Sequence, residues 1–472
     1  MNETKRLIKN TGFLAIGNLG AKIAAFVLLP LYTSILSTSD YGTYDYIVAL
    51  NAFLLPVISL CILEAMFRFV IDTGNEGEDY QRTVTNAFVV VIANIVLLLI
   101  LFCILHFTIV FEYLWWLLLY NVACVLYTFA VYLLRGMGRM KEYATIEGAK
   151  NIAQILLNVF SIVVLRWGLY GLILSMCISE LVSVVVVFFR VKFFRQLKFR
   201  LVSMPLLKTM LTYALPLVPN SVCTQIINLS DRVMISGFLG SGPNGVYSVS
   251  YKFPNIVETL FHFFTNAWGE SASRALKDDR EHITLFYNKL YREINNFVFS
   301  LVLLMTSGMP ILFRIFVRGD YIIGVIYVPI LLFAMYFDCI GKFFAGIFTA
   351  LKMTKNMATT TAVAAIINLS VDFLLIKYIG LYAAAISTLL AEIVLCIMRW
   401  RYLNREMNIK IGIKQYCIEI MVFATVYMLF DYNSIPKIVC SICVAVVYSI
   451  VANKELIRIV WKYLSSKKSN NN

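Results

Sequence analysis

Long apolar stretches alternate with short polar ones along the whole chain, and this pattern predicts fourteen membrane-spanning helices. Each stretch has about 20 residues or more, enough for a helix to cross a hydrocarbon core of roughly 30 Å. A transmembrane β-barrel would instead show alternating segments of about ten residues, and these do not occur. The predicted spans are 11–36, 44–67, 84–107, 112–134, 144–165, 168–189, 209–238, 244–270, 293–313, 321–350, 356–376, 380–398, 412–430 and 435–452.

Composition agrees with this pattern. Of the 472 residues, 60% are hydrophobic and only 14% are charged, whereas a soluble protein of this length carries about 25% charged residues. The basic start, "MNETKRLIKN", precedes an apolar segment without a convincing small-residue cleavage site, so it is expected to lead into an uncleaved first helix. The sequence therefore predicts an all-α polytopic membrane protein.

The positive charges are distributed unevenly between the two predicted sides of the membrane. When lysines near helix ends are counted with the adjacent loops, 32 of the 41 Lys and Arg residues fall in the N-terminus, the even-to-odd loops and the C-terminal tail. Only 5 fall in the odd-to-even loops, and 4 lie inside helices. Cytoplasmic loops carry an excess of Lys and Arg, so both termini are predicted to be cytoplasmic.

This distribution also explains the net charge of +14 without nucleic acid. The cytoplasmic positive charge faces the anionic lipids of the inner leaflet, which are expected partners. The basic run "RVKFFRQLKFRLVSMPLLK", 190–208, is predicted to be an amphipathic linker on that face. No segment is long enough to form a soluble nucleic-acid-binding module, so nucleic acid is not an expected partner.

Two pairs of similar stretches predict an internal duplication. "ILSTSDYGTYDY" at 35–46 is matched by the start of "FLGSGPNGVYSVSYK" at 238–252, with a leucine, a glycine and a tyrosine at equal spacing and an offset of 203 residues. "GLYGLILSMCISE" at 168–180 is matched by "GLYAAAISTLLAE" at 380–392, an offset of 212. Both offsets span about six helices, and six is even, so the copies are predicted to be parallel repeats. The first pair is expected to form outside turns after helices 1 and 7.

The duplication predicts the domain organisation. Residues 1–189 form an N-lobe of six helices, 190–208 the basic cytoplasmic linker, and 209–405 a C-lobe of six helices. Residues 406–472 supply helices 13 and 14 and a cytoplasmic tail.

The chain resembles a known family in several of these features. Two lobes of six helices, the turn "LSTSDYGTYDY", the segment "LSDRVMISGFLG" in helix 7 and two trailing helices are similar to the Wzx-type polysaccharide flippases, which carry O-antigen or capsule precursors. These belong to the multidrug/oligosaccharidyl-lipid/polysaccharide exporter superfamily. The resemblance covers essentially the whole chain and implies transport of an undecaprenyl-pyrophosphate-linked oligosaccharide across the bacterial inner membrane. It also makes the polysaccharide polymerase machinery a candidate partner.

Charges inside the predicted helices are candidates for the transport site, because an ionisable group at a bilayer centre costs about 2.5–3.5 kcal/mol. Lys22 has no acid within one helical turn and could contact an anion as a mobile point charge. Arg232 ends a polar stripe on helix 7, but it could also snorkel or form a structural pair. Lys342 follows Asp338 by one turn and is expected to form a local ion pair. The candidate substrate-binding residues are Lys22, Asn18, Arg232, Gln225, Asn228, Lys252, Asn255 and His262.

The acids indicate a second kind of site. Glu180 and Glu392 occupy equivalent places in the two repeats, and Glu147 lies on a polar face of helix 5. Such carboxyls could bind Na⁺ or H⁺ to drive transport, or they could simply be satisfied within the packing of each lobe. The candidate ion-coupling residues are Asp231, Glu258, Glu147, Asp372, Glu180 and Glu392. Apart from such a coupling ion, no cofactor or metal is expected.

Three other functions remain open or are disfavoured. A cation-coupled multidrug exporter of the same architecture is the nearest alternative, and a flippase for lipid II, the peptidoglycan precursor, is a third. A membrane glycosyltransferase, polymerase or ligase would need a sizeable outside loop, and the predicted outside loops are short. No P-loop or GxSxG motif is present, so an enzyme is not expected.

Overall fold

The structure is a computed structural model that describes residues 26–74, 76–108, 111–275, 280–351, 353–455 and 458. Within these ranges the chain is built from α-helices, with short π and 3₁₀ segments and no strand. This confirms the all-α class. The helices are α1 Leu29–Ile35, α2 Thr38–Ser59, α3 Ile62–Thr73, α4 Glu78–Thr108, α5 Leu114–Gly136, α6 Met140–Val159, α7 Gly168–Arg190, α8 Phe193–Gln196, α9 Met204–Ala214, α10 Leu217–Phe238, α11 Ser241–Lys252, α12 Pro254–Ala275, α13 Arg280–Phe316, α14 Val328–Ala350, α15 Thr354–Ile379, α16 Leu381–Met407, α17 Ile413–Met428 and α18 Ile435–Ala452.

Nine helices in the described ranges are long and apolar enough to cross a membrane. Their surfaces agree with contact to lipid. On α4, for example, the exposed fraction is 63% at Leu97, 53% at Ile100 and 56% at Ile104. A soluble monomer rarely exposes an apolar surface that continues over many residues. The chain is therefore a multi-pass membrane protein.

Several predicted spans are helical but interrupted, which corrects the sequence prediction. The second span breaks between α2 and α3, where Leu60 and Cys61 adopt left-handed φ values of 51° and 52°. The Ser59 hydroxyl accepts a hydrogen bond from the Cys61 N–H at 3.2 Å. The eighth span breaks between α11 and α12 at Pro254, which has no N–H to continue the helix. The predicted tenth span begins with a 3₁₀ helix, Gly319–Ile326, before α14 starts.

The two turns that sequence similarity paired end up in equivalent places. The first helix of each pair ends at Ile35 or Phe238, and the next begins at Thr38 or Ser241, each at the predicted offset of 203. The second turn is shorter than predicted, because α11 begins at Ser241 rather than at 244 and comprises all of "SGPNGVYSVSYK". In the second pair, Gly168 and Gly380 adopt φ values of 53° and 58° at the start of α7 and α16.

Contacts within the chain define two compact units, Met1–Ser236 and Gly237–Asn472. In the first unit, apolar residues from Ile47 to Ala214 form one continuous core. In the second, the Trp268 ring stacks on Phe343 at 4.8 Å, and Gly346 leaves the space that the Trp268 ring occupies. The predicted lobes, 1–189 and 209–405, stay a prediction.

The predicted basic linker is folded against the first unit. The Phe193 ring is buried and stacks on Phe188 at 4.1 Å. The Asn86 side chain accepts a hydrogen bond from the Ser203 N–H at 2.9 Å and donates one to the Leu201 carbonyl at 3.1 Å. Phe194 stays 71% exposed. The linker is thus fixed at one end of α4 while part of its apolar and basic surface remains open.

Candidate functional site

A buried ion pair joins α2 to α10. The Arg232 Nε lies 2.6 Å from the Asp45 Oδ2, and the two side chains are 17% and 12% exposed. The residues are 187 positions apart in the chain. A contact this short between largely desolvated charges is a charge-assisted hydrogen bond, which is stronger than a neutral one.

The start of α2 places Asp45. Ser37 caps the helix by accepting a hydrogen bond from the Asp40 N–H at 3.0 Å, so the helix begins directly after the turn. Tyr41 lies one turn before Asp45 and is buried. Its ring lies 6.2 Å from that of Tyr32. Turn, cap and tyrosines therefore hold the carboxylate at a fixed position inside the first unit.

A chain of polar groups continues from these tyrosines. The Asn158 side chain donates to the Tyr32 hydroxyl at 2.9 Å. The Ser161 hydroxyl contacts the carbonyl of Asn158 at 3.1 Å and the Ser175 hydroxyl at 3.2 Å. These groups lie on α6, its π-helical extension Phe160–Val164 and α7. The interior of the first unit is thus polar along a path that begins close to the ion pair.

The polar stripe that Arg232 ends on predicted helix 7 also contains Ser221, Gln225 and Asn228, which lie on α10. The Ser221 Oγ lies 3.9 Å from the Cys61 Sγ, so this end of the stripe faces the break between α2 and α3. Gln225 is half-buried, and Asp231 is buried. Asn228 lies in α10, but its side chain, like all of Asn18 and Lys22, lies outside the described part of the structure.

The predicted helix 8 residues do not form one continuous face. Lys252 ends α11, whereas Asn255 lies in α12 beyond the break at Pro254. Both are half-buried. His262 is exposed, although its helical spacing from Asn255 and Glu258 in the sequence predicted a buried position. The break at Pro254 separates Lys252 from Asn255 and His262, which lie together in α12.

In the second unit, Lys342 lies between two carboxylates. Its Nζ is 2.7 Å from the Asp338 Oδ2 and 2.8 Å from the Glu258 Oε1. The ion pair that the spacing of Asp338 and Lys342 predicted is therefore present. Glu258 adds a link from α14 to α12, and its side chain is 41% exposed. The group carries two acids and one base, so its net charge is negative when all three are ionised.

Glu180 and Glu392, the acids that the repeat places in equivalent positions, share a further feature. In each, the Oε2 atom is buried and has no hydrogen-bond partner among the described residues. The two acids have different charged neighbours. Glu180 interacts electrostatically with Lys150 and Glu147. Glu392 interacts electrostatically with Asp338, Lys342 and Arg399. A buried carboxyl oxygen without a partner costs free energy unless it is protonated or binds a cation.

The equivalent serines of the two repeats, Ser175 and Ser387, also lie in similar surroundings. The Ser387 hydroxyl donates to the Asp372 Oδ1 at 2.8 Å and accepts from the Asn368 side chain at 3.1 Å. Asp372 is fully buried. Both repeats therefore enclose a small polar cluster between their fifth and sixth helices, and in the second repeat that cluster holds an acid.

Glu147 belongs to a half-buried pair on α6. It accepts a hydrogen bond from the Tyr127 hydroxyl and lies 3.4 Å from the Lys150 Nζ. The Lys150 ammonium also lies 4.6 Å from the centre of the Tyr127 ring. Lys150, which the charge count assigned to a loop, is therefore a cation inside a helix, with 12% of its side chain exposed.

Sequence reasoning missed three other buried charges. Asp45 lies within the quoted stretch "LSTSDYGTYDY", but it was not singled out as a buried acid. Glu419 on α17 is 1% exposed. Arg399 was placed just beyond the predicted twelfth span, but α16 continues to Met407 and buries it. Its guanidinium donates to the Gly341 carbonyl at 2.8 Å. A charge within one turn of a span's end was the signal that could have identified Arg399.

Among the described residues, no group of three or more His, Cys, Asp or Glu side chains could hold a metal ion.

Comparison with known proteins identifies a family and a fold. A family model described as "Polysaccharide biosynthesis protein" matches residues 7–269, more than half of the chain. No curated protein matches the sequence. The structure of the lipid II flippase MurJ in an inward closed conformation superimposes with a TM-score of 0.69 at 16% identity, covering 94% of this chain and 99% of MurJ.

Two MATE structures share the fold with lower TM-scores. A point mutant of the Vibrio cholerae MATE transporter VcmN gives a TM-score of 0.56 at 14% identity, covering 86% of this chain and 98% of VcmN. A MATE transporter in complex with MaD3S gives 0.53 at 14% identity, covering 85% and 96% of the two chains. At these identities the comparison shows the fold alone.

Proposed function

Because the chain belongs to the family of polysaccharide biosynthesis proteins, we propose that it is a flippase for an undecaprenyl-pyrophosphate-linked oligosaccharide. It would act by alternating access in the bacterial inner membrane, with both termini in the cytoplasm, and supply O-antigen, capsule or exopolysaccharide synthesis. The observation that carries the proposal is the buried Arg232–Asp45 pair, since a guanidinium is the group best suited to a pyrophosphate.

The pair suggests how the anion is bound and released. Asp45 neutralises Arg232 while the site is empty, so no uncompensated charge is left in an apolar environment. A pyrophosphate offers more acceptor oxygens than one carboxylate and could displace Asp45 from the guanidinium. When the substrate leaves, Asp45 returns and lowers the cost of the empty site. Lys22, predicted on the first helix, would supply a second, mobile positive charge.

Substitutions at the pair test this proposal. In cells that depend on this protein for surface glycan, we expect Arg232→Gln to abolish the glycan, because the fork for the pyrophosphate is lost. Arg232→Lys should retain a small fraction, since a point charge replaces a bidentate group. Arg68→Gln is the matched control: Arg68 forms an exposed pair with Asp72 at 3.1 Å and should be dispensable.

The outcome is read at equal membrane expression. Surface glycan at the wild-type level with Arg232→Gln would remove Arg232 from the substrate site. If glycan is unaffected but drug efflux falls, the second candidate function below is favoured instead.

We propose the two equivalent acids, Glu180 and Glu392, as coupling groups for Na⁺ or H⁺. Support comes from their buried Oε2 atoms, which have no partner in the described ranges and could take up a proton or a cation. The other predicted acids are more fully engaged: Glu258 with Lys342, Glu147 with Lys150, and Asp372 with Ser387.

A cation-coupled multidrug exporter is a second candidate. The group of Asp338, Lys342 and Glu258 favours it, because its net negative charge and 41% exposed Glu258 could attract a cationic substrate. Glu258→Gln should reduce efflux of cationic dyes if the protein is an exporter and leave surface glycan intact. A third candidate, a lipid II flippase, predicts that the protein restores growth to cells depleted of their own lipid II flippase.

The linker supports a proposed interaction with anionic inner-leaflet lipids. Phe194 and Phe199 are 71% and 67% exposed. The basic residues beside them, Arg195, Lys198 and Arg200, are also exposed. Such a surface combines apolar insertion with attraction to anionic lipid. Polysaccharide polymerase machinery remains a proposed partner on family grounds.

A further inference from the structure

A cavity of about 390 Å³ lies in the second unit, where α13 meets the start of α17 and the end of α18. Its volume falls in the range of roughly 300–1,000 Å³ that small-molecule sites occupy. The lining residues come from positions 292–296 of α13, where the predicted ninth span 293–313 begins, from the start of α17, and from the end of α18 with the residues just after it. The charge distribution assigns all three of these ends to the cytoplasmic side.

Four charged residues stand at the cavity and balance each other. Arg292 and Lys454 are basic, whereas Glu293 and Glu455 are acidic. None of them forms an ion pair with another described residue, although all four line one cavity. Opposite charges that share a cavity without pairing leave their hydrogen-bonding capacity available to a ligand that carries both signs.

The inner wall is polar and held in place by a buried acid. The Gln415 side chain donates to the Glu419 Oε1 at 3.0 Å and to the Asn296 Oδ1 at 2.5 Å. The Tyr448 hydroxyl lies 3.3 Å from the same Glu419 oxygen. The Asn296 amide also donates to the Ala452 carbonyl at 3.1 Å. Gln415, Asn296 and Tyr448 all line the cavity, so its wall is rigidly positioned.

Two further donors complete the coordination of Glu419 from deeper in the unit. The Asn295 side chain donates to Oε1 at 2.7 Å, and the Tyr336 hydroxyl contacts Oε2 at 2.9 Å. Donors on α13, α14, α17 and α18 thus converge on one carboxylate that is 1% exposed. This satisfied network fixes the three helices that form the cavity, so the cavity is preformed.

The remaining wall is apolar and continues into an exposed apolar surface. Ile418 and Val451 line the cavity and are 49% and 61% exposed. They continue along α17 and α18 into exposed Met421 and Val447, at 61% and 62%. An apolar ligand segment could therefore leave the cavity sideways along a surface that faces lipid tails, while a polar segment stays between the charges.

From these observations we infer that the cavity binds the headgroup of a zwitterionic phospholipid with a primary ammonium, such as phosphatidylethanolamine, from the cytoplasmic leaflet. Arg292 and Lys454 hold the phosphodiester, whereas Glu293 and Glu455 accept hydrogen bonds from the ammonium. The acyl chains follow Ile418 and Val451 into the bilayer. The equal number of acidic and basic residues selects a neutral headgroup over an anionic one.

Direct binding to the full-length protein in detergent tests this site. Dihexanoyl lipids with ethanolamine, glycerol or choline headgroups are titrated by calorimetry. We expect phosphatidylethanolamine to bind about tenfold more tightly than the other two, the factor that one charge-assisted hydrogen bond supplies. Phosphatidylglycerol lacks the ammonium, and the choline ammonium has no N–H to donate. Equal affinity for the three lipids would overturn the proposal.

Variants separate the two halves of the site. Glu293→Gln should weaken phosphatidylethanolamine and strengthen phosphatidylglycerol, because the site becomes net positive. Arg292→Gln should weaken both. Lys414→Gln is the matched control, an exposed charge on α17 that does not line the cavity, and should change neither. If Lys414→Gln and Arg292→Gln have the same effect, binding is general electrostatics and the assigned site is wrong.

Free phosphoethanolamine distinguishes a lipid from a soluble ligand. It carries the same two charged groups without acyl chains and should bind more weakly than the lipid. Affinity equal to that of the lipid would overturn the membrane source. All of these titrations measure binding and not transport. Their results are therefore independent of the proposed flippase activity.

Discussion

At the scale of single residues, the chain places ionisable side chains where an apolar environment makes each one costly. Most are compensated: Arg232 by Asp45, Lys342 by two acids, and Arg399 by the Gly341 carbonyl. Glu180 and Glu392 differ, because one oxygen of each is buried without a hydrogen-bond partner in the described part of the chain. The free-energy cost of such a buried oxygen occurs at equivalent positions of the two repeats, so these two acids should be tested first.

We expect Glu180→Gln and Glu392→Gln to reduce surface glycan by about tenfold, a factor within the range of a typical coupling free energy. The thermal midpoint in detergent should not fall, because a neutral amide is less costly to bury than a carboxylate. Glu112→Gln, at an exposed loop position, is the control. Normal glycan with both variants would exclude these acids from coupling, and a fall in the thermal midpoint would show that their role is structural.

At the scale of elements, hydrophobic periodicity predicted where helices lie but not where they break. Apolar runs do not reveal that Leu60 and Cys61 turn left-handed, because their side chains are as apolar as those of a continuous helix. Pro254 was a visible signal for the break between α11 and α12, but it lies inside an apolar run and was read through. The turns were predicted at the correct place from sequence similarity between the repeats.

The candidate site was less predictable than the helices. Arg232 stood out because a charge in an apolar helix is rare, whereas its partner Asp45 lies near a turn, where acids are common. Pairing across 187 residues depends on tertiary packing that local patterns do not contain. The Glu419 network was missed for the same reason, since its donors come from four different helices.

The turn between α10 and α11 offers a test at this scale. Gly240 has φ 97° and ψ 174°, a region that residues with a side chain rarely adopt. Gly240→Ala should therefore destabilise the protein by about 1–3 kcal/mol. Gly237→Ala is the matched control: it lies within α10, and an added Cβ would meet nothing within 4 Å.

Alanine is the better helix former, so Gly237→Ala should be neutral or stabilising by about 0.5–1 kcal/mol. The difference between the two variants is measured by denaturation in detergent micelles. Equal midpoints for Gly240→Ala and Gly237→Ala would mean that the backbone at Gly240 is not strained in the folded protein.

At the scale of the whole molecule, the fold and the charge distribution have separate origins. Helix formation follows from the apolar pattern and is visible in each unit. Orientation in the membrane is predicted instead from Lys and Arg in short loops, because such residues are retained on the cytoplasmic side. The proposed route of transport, from the cytoplasmic to the outer leaflet, depends on this orientation, because the lipid-linked substrate must meet the binding residues from the cytoplasmic side.

Single cysteines in a background without the ten native cysteines test the orientation. The four chosen positions, Glu76, Glu112, Lys410 and Asn433, are all exposed and lie between helices, so accessibility depends on the side of the membrane and not on burial. An impermeant maleimide added to intact spheroplasts should label Glu112→Cys and Asn433→Cys. Glu76→Cys and Lys410→Cys should react only after permeabilisation, because their loops belong to the basic set that stays in the cytoplasm. Labelling of Glu76→Cys or Lys410→Cys in intact spheroplasts would contradict the predicted fourteen-helix topology. It would also contradict the proposed direction of transport.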